Sequence, residues 1–159
     1  MATFVFSVDS ALLSELGEKL VSSVHVALTE LVKNAYDADA TSVQITIKEN
    51  AEGLPEITVK DNGSGMTLEE VRSYWMKIGT SNKVDNPHSK RFGRPRTGAK
   101  GIGRFCCRRL GTHLKLETCA KLPGGHYEET EIFFNWEAFT PGTDVGKITC
   151  EGSSQKSAA

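Results

Sequence analysis

Residues 27–40 of the chain read ALTELVKNAYDADA, and this stretch decides the fold. It places two acids and an amide, Glu30, Asn34 and Asp37, at offsets of four and three residues. At ~100° per residue these three side chains share one stripe of a helix. A second stripe has the spacing of a buried apolar face and consists of Val24, Leu28, Leu31 and Ala35. We therefore predict a helix over about 22–38 whose polar side is suited to a hydrated cation or a reacting water.

The length and composition predict a single globular domain. The chain has 159 residues, of which 38% are hydrophobic and 25% are charged, which is enough for one core and too little for two ordinary domains. We expect the domain to cover residues 1–150 and the small, polar residues 151–159 to form a disordered tail. No apolar run approaches the ~20 residues of a membrane span, and the N-terminus lacks the pattern of a secretion signal. The expected location is therefore the cytoplasm, without a membrane partner. The four cysteines have neither paired metal-site spacing nor the density of a disulfide scaffold, which predicts reduced packing residues.

The charge is distributed unevenly along the chain. The net charge is −1, but residues 1–70 hold twelve acids and four bases, whereas residues 77–109 hold one acid and ten bases. This basic block could be a solvated loop, a nucleic-acid-binding surface, or an anion site that closes over phosphates. Direct nucleic-acid binding is the least favoured, because the block lacks the interleaved aromatic residues that support stacking on bases.

Two strands are predicted directly after the helix. Residues 42–48 alternate apolar and polar side chains, which is the pattern of a strand with one buried face, and residues 56–60 form the next strand. The turn at 50–53 joins the two strands into a hairpin.

Short elements and loops alternate after the hairpin. Thr67 and Glu70 have the spacing of a capping box, which predicts a helix that runs to about residue 76. Residues 77–99 combine glycine, proline and most of the basic excess without apolar periodicity, which predicts a mobile loop of functional length. After this loop the sequence predicts a helix that opens at 98–105 and stops at Gly111, and strands at 112–118 and 127–135.

The sequence DNGSGM, residues 61–66, delivers an acid at the end of a strand into a glycine turn. Gly63 and Gly65 permit positive φ and allow a flat ligand to approach the backbone. The carboxylate of Asp61 could then accept a hydrogen bond from the exocyclic amine of a ligand. An ordinary Asp-Asn-Gly turn explains the motif equally well, so by itself the motif leaves both interpretations open.

A second glycine motif, Gly98-x-x-Gly101-x-Gly103, opens the helix after the loop. The free N–H groups and the positive dipole end of a helix N-terminus favour phosphate, and Lys100 adds a positive charge. The motif differs from a Walker A loop because no Gly-Lys-Ser/Thr follows, and from a dinucleotide-binding fingerprint because no strand directly precedes it. Alone it is a weak signal, since glycine-rich loops are common.

Together, in this order, the three motifs resemble the nucleotide site of the GHKL ATPase superfamily, named for gyrase, heat-shock-ninety chaperones, histidine kinases and MutL. Residues 30–38 match its N box, residues 61–66 its first glycine box and residues 98–103 its second. Within the superfamily, residues 78–83 and 93–105 look most similar to bacterial chaperone-like and MORC-like ATPases. The resemblance implies the Bergerat fold, an α/β (α+β) two-layer sandwich. Its mixed, mostly antiparallel sheet is covered by helices on one face, and ATP lies between the helices and a mobile lid.

The resemblance also implies roles for individual residues. Glu30 would be the general base that polarises the attacking water, Asn34 a ligand of Mg²⁺, and Asp61 the adenine reader. Lys100 would stabilise charge on the phosphates. Three further basic residues could reach phosphate once the loop closes, or stay exposed to solvent: Arg91, Arg94 and Arg96. The implied nucleotide contacts are Asn34, Asp37, Asp61, Gly63, Gly65, Met66, Gly98, Lys100, Gly101, Ile102 and Gly103.

By resemblance the function is Mg²⁺-dependent ATP binding and slow hydrolysis, in which closure of the lid at 77–99 drives dimerisation or a partner's conformational change. Two alternatives stay open: a nucleotide switch that does not hydrolyse ATP, and a nucleic-acid-binding domain that uses the 77–109 block. The last nucleotide-contacting element of the superfamily, a Gly-Thr, has one candidate here, Gly142-Thr143, soon after Trp136. We therefore expect a short or C-terminally truncated domain, with downstream domains or a client protein as further partners.

Overall fold

The computed structural model describes residues 8–13, 15, 23–78, 85–97 and 103–158. Its helices include α1 (Val24–Asp37), α2 (Leu68–Glu70) and α3 (Cys107–Leu110). A π-helical turn, Val71–Trp75, continues α2, and a 3₁₀ turn, Gly103–Cys106, precedes α3. The strands are β1 (Val43–Glu49), β2 (Pro55–Asp61), β3 (His113–Lys121), β4 (Tyr127–Asn135) and β5 (Glu151–Ser157). In the part of the chain that the structure describes, no helix has the length and apolar character needed to cross a membrane.

Helix α1 forms where the spacing of apolar residues predicts it. Ser23 caps its start, because the Ser23 hydroxyl accepts a hydrogen bond from an N–H of the first turn at 3.4 Å. The buried face runs through Ala27 and Ala35. Val24, which the sequence predicts on that face, is 44% exposed, since Ala27 makes the core contact instead. Beyond the helix, Asp39 has a φ of 64°, and this left-handed residue turns the chain towards β1.

Strands β1 and β2 form the predicted hairpin, and their register pairs Ile45 with Val59 and Ile47 with Ile57. Directly opposed residues of an antiparallel pair lie on the same side, so these four side chains make one apolar face. The sequence predicted that this face is buried, and for the two isoleucines that β1 contributes the prediction is wrong. Ile47 is 70% exposed and Ile45 is 42% exposed, whereas their partners on β2, Ile57 and Val59, are half-buried.

Strands β3, β4 and β5 form a second sheet. The sequence predicted a mixed, mostly antiparallel sheet; every pair of the described strands is antiparallel, and these strands form two ladders. Strand β5 also corrects the prediction of a disordered tail at 151–159, because Glu151–Ser157 pair in register with β4. Gly152 permits the close approach of the two strands, since a Cβ at that position would lie 2.4 Å from the Glu131 carbonyl oxygen.

The core lies between one face of the β3–β4 ladder and the helical residues. Trp136 stacks on Phe134 with ring centroids 5.7 Å apart and meets Phe105 edge to face at 6.1 Å. Cys106 and Cys107 are free, buried thiols of the same cluster, as the sequence predicted for packing cysteines. Helices therefore cover one face of a sheet, and the predicted α+β class is confirmed.

Candidate functional site

A broad cleft with a volume of about 2610 Å³ opens beside the polar face of α1. The cleft continues along the hairpin and the second sheet, so it is larger than the ~300–1,000 Å³ of a single small-molecule pocket. Seven of the predicted site residues line it: Glu30, Asn34, Asp37, Asp61, Gly63, Gly65 and Met66. Gly103 begins the 3₁₀ turn before α3. The other predicted residues of the second glycine motif, Gly98, Lys100, Gly101 and Ile102, lie outside the described residues.

Glu30 lies on the cleft side of α1, and its side chain is 32% exposed. Its Oε1 accepts a hydrogen bond from Lys33 Nζ at 2.8 Å, in an ion pair between residues three positions apart. A role as general base therefore requires the other carboxylate oxygen or displacement of the Lys33 ammonium. Asn34 lies one turn further along α1 and is half-buried in the same lining.

Asp61 ends β2, and its own turn holds its carboxylate. Oδ1 of Asp61 accepts a hydrogen bond from the Gly63 N–H at 2.8 Å. Gly63 packs against the end of α1, where a Cβ would lie 2.7 Å from the Ala38 carbonyl oxygen. The Ser64 N–H donates to the same oxygen at 2.7 Å. These contacts bring the Asp61 carboxylate beside the helix that carries Glu30 and Asn34.

Gly65 and Met66 connect this loop to β3. Gly65 has a φ of 64°, and a Cβ there would lie 2.0 Å from the Cys119 carbonyl oxygen. The Met66 N–H donates to Thr118 Oγ1 at 2.8 Å. The sequence interpreted the glycines of this motif as room for a ligand. In the structure the absence of a Cβ at these glycines allows the loop to pack closely against the backbone at the end of α1 and in β3.

Asn62, which the sequence reasoning missed, fastens the same loop to the start of β1. Its Oδ1 accepts hydrogen bonds from the N–H groups of Thr41 at 2.8 Å and Ser42 at 2.9 Å. Its Nδ2 donates to Thr41 Oγ1 at 2.9 Å. An asparagine after a strand indicates a turn, but nothing local indicates that its partners lie 21 and 20 residues earlier.

Asp37 is buried in the last turn of α1 and binds the segment that we call the basic segment, residues 85–97. Its Oδ1 accepts hydrogen bonds from the Thr97 N–H at 2.8 Å and from Thr97 Oγ1 at 3.2 Å. The residue lines the cleft, as the sequence predicted for a nucleotide contact. The Thr97 contact shows that it also ties α1 to the residue that precedes the second glycine motif.

Asp39 is a second carboxylate at this end of α1, and the sequence reasoning did not single it out. It is 2% exposed and accepts hydrogen bonds from Ser89 Oγ at 2.5 Å, the Arg91 N–H at 2.7 Å and the Phe92 N–H at 3.2 Å. Burial opposes the charged form, but these hydrogen bonds and the nearby Arg94 guanidinium hold the pKa of Asp39 below its ordinary value. A helix dipole disfavours acids at its C-terminal end, and this conflict is the signal from which a need for partners could have been predicted.

The described part of the predicted mobile loop is folded. In the basic segment the Ser89 N–H donates to the Arg94 carbonyl oxygen at 2.9 Å, and the Arg96 N–H donates to the Pro87 carbonyl oxygen at 2.8 Å. The Arg94 guanidinium donates to the Ala40 carbonyl oxygen at 2.7 Å. The protein therefore already uses Arg94 to hold the segment against the end of α1, and closure of a lid stays a prediction.

A family model described as "Histidine kinase-, DNA gyrase B-, and HSP90-like ATPase" matches residues 21–142. The chain belongs to this family, the GHKL ATPases. The match contains the three motifs that the sequence predicted for the nucleotide site, together with α1, the hairpin and β4. The α+β arrangement of the described residues agrees with this membership.

The curated relatives of this GHKL ATPase domain are much longer proteins. A putative type II restriction enzyme, HgiDII of Herpetosiphon aurantiacus, is 38% identical over 91 residues, which cover 57% of this chain and 14% of the relative. The DNA mismatch repair protein MutL of Macrococcus caseolyticus is 44% identical over 59 residues, or 37% of this chain and 9% of the relative. MutL of Listeria monocytogenes is 34% identical over 87 residues, or 54% of this chain and 14% of the relative. These matches span 9 to 14% of the relatives' length.

Two finer predictions about this GHKL ATPase concern its subfamily and its last nucleotide element. The likeness to bacterial chaperone-like or MORC-like ATPases stays a prediction. The candidate for the last nucleotide element, Gly142-Thr143, contacts the N-terminal part of the chain: the Gly142 N–H donates to Asp9 Oδ2 at 2.8 Å, and the Ser10 N–H donates to the Thr143 carbonyl oxygen at 2.8 Å. Neither residue of the pair is in the cleft lining.

Proposed function

We propose that this chain binds Mg-ATP in the cleft beside α1 and hydrolyses it slowly. One observation carries the proposal: in a member of an ATPase family, the loop after β2 that carries Asp61 is joined to the end of the helix that carries Glu30 and Asn34, through the hydrogen bond from the Ser64 N–H to the Ala38 carbonyl oxygen. A convergence of predicted ligand residues in one concave site is the pattern expected of a binding site.

At the adenine end, Asp61 would accept a hydrogen bond from the exocyclic amine of the base. Its position supports this role, because the Gly63 N–H donates to Oδ1 and fixes the carboxylate at the start of the glycine loop. Gly63 and Gly65 pack against the backbone of α1 and β3, so the loop needs little reordering when a ligand binds.

At the phosphate end, Glu30 would orient the attacking water, and Asn34 would hold Mg²⁺ through its amide oxygen. The donor fits the ion, because Mg²⁺ prefers hard oxygen ligands, keeps several waters and takes its other ligands from the phosphates. When bound, Mg²⁺ would neutralise charge that develops on the phosphates. The two side chains lie one turn apart on the cleft side of α1, which supports their joint action.

Lid closure over 77–99 would transmit the nucleotide state to the rest of the protein, by dimerisation or by a change in a downstream domain or client. The contact from Asp37 to Thr97 supports this coupling, because it joins the helix of the site to the segment that closes. The matched region makes up 9 to 14% of the curated relatives, which favours a module that drives other domains.

A switch that binds ATP without hydrolysis is the second candidate. The observation that favours it is the ion pair between Lys33 and Glu30, which occupies one oxygen of the proposed base. The third prediction, nucleic-acid binding through residues 77–109, gains no support from the described contacts, because Lys90 and Arg94 of that block already have partners within the chain.

Phosphate release by wild type and Glu30→Ala separates hydrolysis from switching. We expect the variant to lose roughly 10²–10⁴-fold in rate, the range of a general base, while it still binds ATP. Glu49→Ala, which removes an exposed acid at the end of β1, is the matched control and should hydrolyse ATP at the wild-type rate. Rates for wild type and Glu30→Ala that both agree with the background, with ATP still bound, would leave the switch as the function.

A further inference from the structure

Arg96 of the basic segment has a buried guanidinium nitrogen without a partner in the described protein. Its Nε is buried and makes no hydrogen bond within the described residues. The residue lines the same cleft as Glu30, Asn34 and Asp61. A buried donor without an acceptor costs free energy, and a ligand that supplies the acceptor recovers that cost. Arg96 is therefore poised to bind a ligand oxygen in the cleft.

The other cations in the described basic segment have partners that Arg96 lacks. Lys90 Nζ lies 2.8 Å from Glu70 Oε1 in an ion pair. The Arg94 guanidinium donates to a backbone carbonyl oxygen at the end of α1 at 2.7 Å. Arg91 Cζ lies 4.7 Å from the centre of an exposed aromatic ring. The difference singles out Arg96 as the side chain of this segment whose hydrogen-bonding capacity is left for a ligand.

Two carboxylates hold the backbone on both sides of Arg96. Asp39 accepts from Ser89 and from the two N–H groups that follow Lys90, before Arg96 in the chain. Asp37 accepts from the N–H of Thr97, the next residue. The Arg96 N–H itself donates to a carbonyl oxygen within the segment at 2.8 Å. The guanidinium is thus carried on backbone that is fixed before the ligand arrives, which lowers the ordering cost of binding.

The charge of the cleft indicates which ligand group Arg96 binds. Glu30, Asp37 and Asp61 all line the cleft and would repel the phosphates of a nucleotide. A planar guanidinium offsets that repulsion and matches two phosphate oxygens at once. We propose that Arg96 binds the phosphate oxygens of the nucleotide and makes the site discriminate nucleotides from nucleosides. This inference rests on the proposed ATP site and adds to it the residue that reads the phosphates from the basic segment.

Calorimetric titration of the full chain with Mg-ATP and with adenosine tests the inference. The variant is Arg96→Met, which keeps the length of the side chain but removes its donors and charge. The matched control is Arg72→Met, which removes the same charge from an exposed position outside the cleft lining. We expect Arg96→Met to weaken ATP binding roughly tenfold to a hundredfold, since hydrogen bonds to charged groups are lost. Adenosine affinity should stay unchanged, and Arg72→Met should bind ATP within about threefold of wild type.

The inference is overturned if Arg96→Met and Arg72→Met bind ATP equally, or if adenosine affinity falls as much as ATP affinity, which would indicate a structural role. Thermal unfolding of each variant checks that it is folded. If Arg96→Met is unfolded, Arg96→Lys replaces it: ATP affinity reduced by about threefold or more with adenosine binding intact supports the bidentate contact, and wild-type affinity for both ligands overturns it. A wild-type chain that binds neither ligand overturns the proposed function itself, and so the two failures are distinguishable.

Discussion

The two ends of the β1–β2 hairpin carry turns that begin alike and end differently. Asn50 follows β1 and Asn62 follows β2, and each is followed three residues later by a glycine at positive φ, 76° at Gly53 and 64° at Gly65. In the first turn, Asn50 Oδ1 accepts from N–H groups two and four residues ahead. In the second, Asn62 Oδ1 accepts from N–H groups 21 and 20 residues behind.

The glycines differ in the same way. A Cβ at Gly53 would meet nothing within 4 Å, whereas a Cβ at Gly65 would lie 2.0 Å from the Cys119 carbonyl oxygen. The first turn is therefore a local device that reverses the chain, and the second is a junction that joins α1, β1 and β3. The difference teaches that the Asn-x-x-Gly spacing, which both turns share, does not by itself distinguish the loop of the candidate site from an ordinary turn, whereas its distant partners do.

Alanine substitution at the two glycines should give the largest difference in stability between the two turns. Both substitutions place a side chain at positive φ, at a cost of about 1–2 kcal/mol. Gly65→Ala adds a clash with β3, and overpacking of this kind costs a further ~1–3 kcal/mol. We therefore expect urea unfolding to report a clearly larger loss for Gly65→Ala than for Gly53→Ala. Equal losses would mean that the loop does not pack against β3 as described.

Alanine at the two asparagines should separate stability from function. Asn50→Ala loses two accepted hydrogen bonds, and Asn62→Ala loses two accepted bonds and one donated bond. A hydrogen bond contributes about 0.5–1.5 kcal/mol, so both variants should be less stable in urea unfolding, and Asn62→Ala should lose more. Only Asn62→Ala should weaken ATP binding, by roughly tenfold, because a small displacement of a positioned group is costly. Titration of both variants with Mg-ATP measures the difference, and a matching loss of affinity in Asn50→Ala would contradict it.

Acid pH should weaken the contact between Asp39, which precedes β1, and the basic segment. This is the smallest of the expected effects. The pKa of Asp39 is lowered in the folded state, so its stabilising contribution is present above the unfolded pKa of about 3.9 and is lost as the pH falls through the folded pKa. The urea concentration at the unfolding midpoint of wild type should therefore decrease when the pH is lowered below about 4. The control Asp39→Asn, which cannot titrate there, should lose less stability over the same interval; a parallel fall in both would assign the pH dependence to other groups.

The sequence predicted elements whose partners are close along the chain. The capping box is an example: Thr67 Oγ1 accepts from the Glu70 N–H at 3.2 Å, and Glu70 Oε2 accepts from the Thr67 N–H at 3.0 Å. Helix α1 and the hairpin were predicted for the same reason, since their hydrogen bonds join residues within one helix or across one short turn.

Contacts between distant residues could not be predicted in this way. Asp37 was predicted as a nucleotide contact, but its partner Thr97 lies 60 residues away. Asp39 was missed because its partner Ser89 lies 50 residues away. Strand β5 was missed because its pairing depends on the open edge of β4, whereas its own small, polar side chains indicate no strand.

Calorimetric titration with Mg-ATP, Mg-ADP and Mg-GTP, on wild type and on Asp61→Asn, tests the central claim most directly. We predict that wild type binds the adenine nucleotides at one site and GTP more weakly. Guanine has a carbonyl oxygen where adenine has the 6-amino group from which Asp61 would accept a hydrogen bond. Asp61→Asn should bind ATP roughly tenfold to a hundredfold more weakly while it remains folded. Wild type that binds no nucleotide, or an Asp61→Asn variant that binds ATP as wild type does, would contradict an adenine nucleotide site in the cleft beside α1.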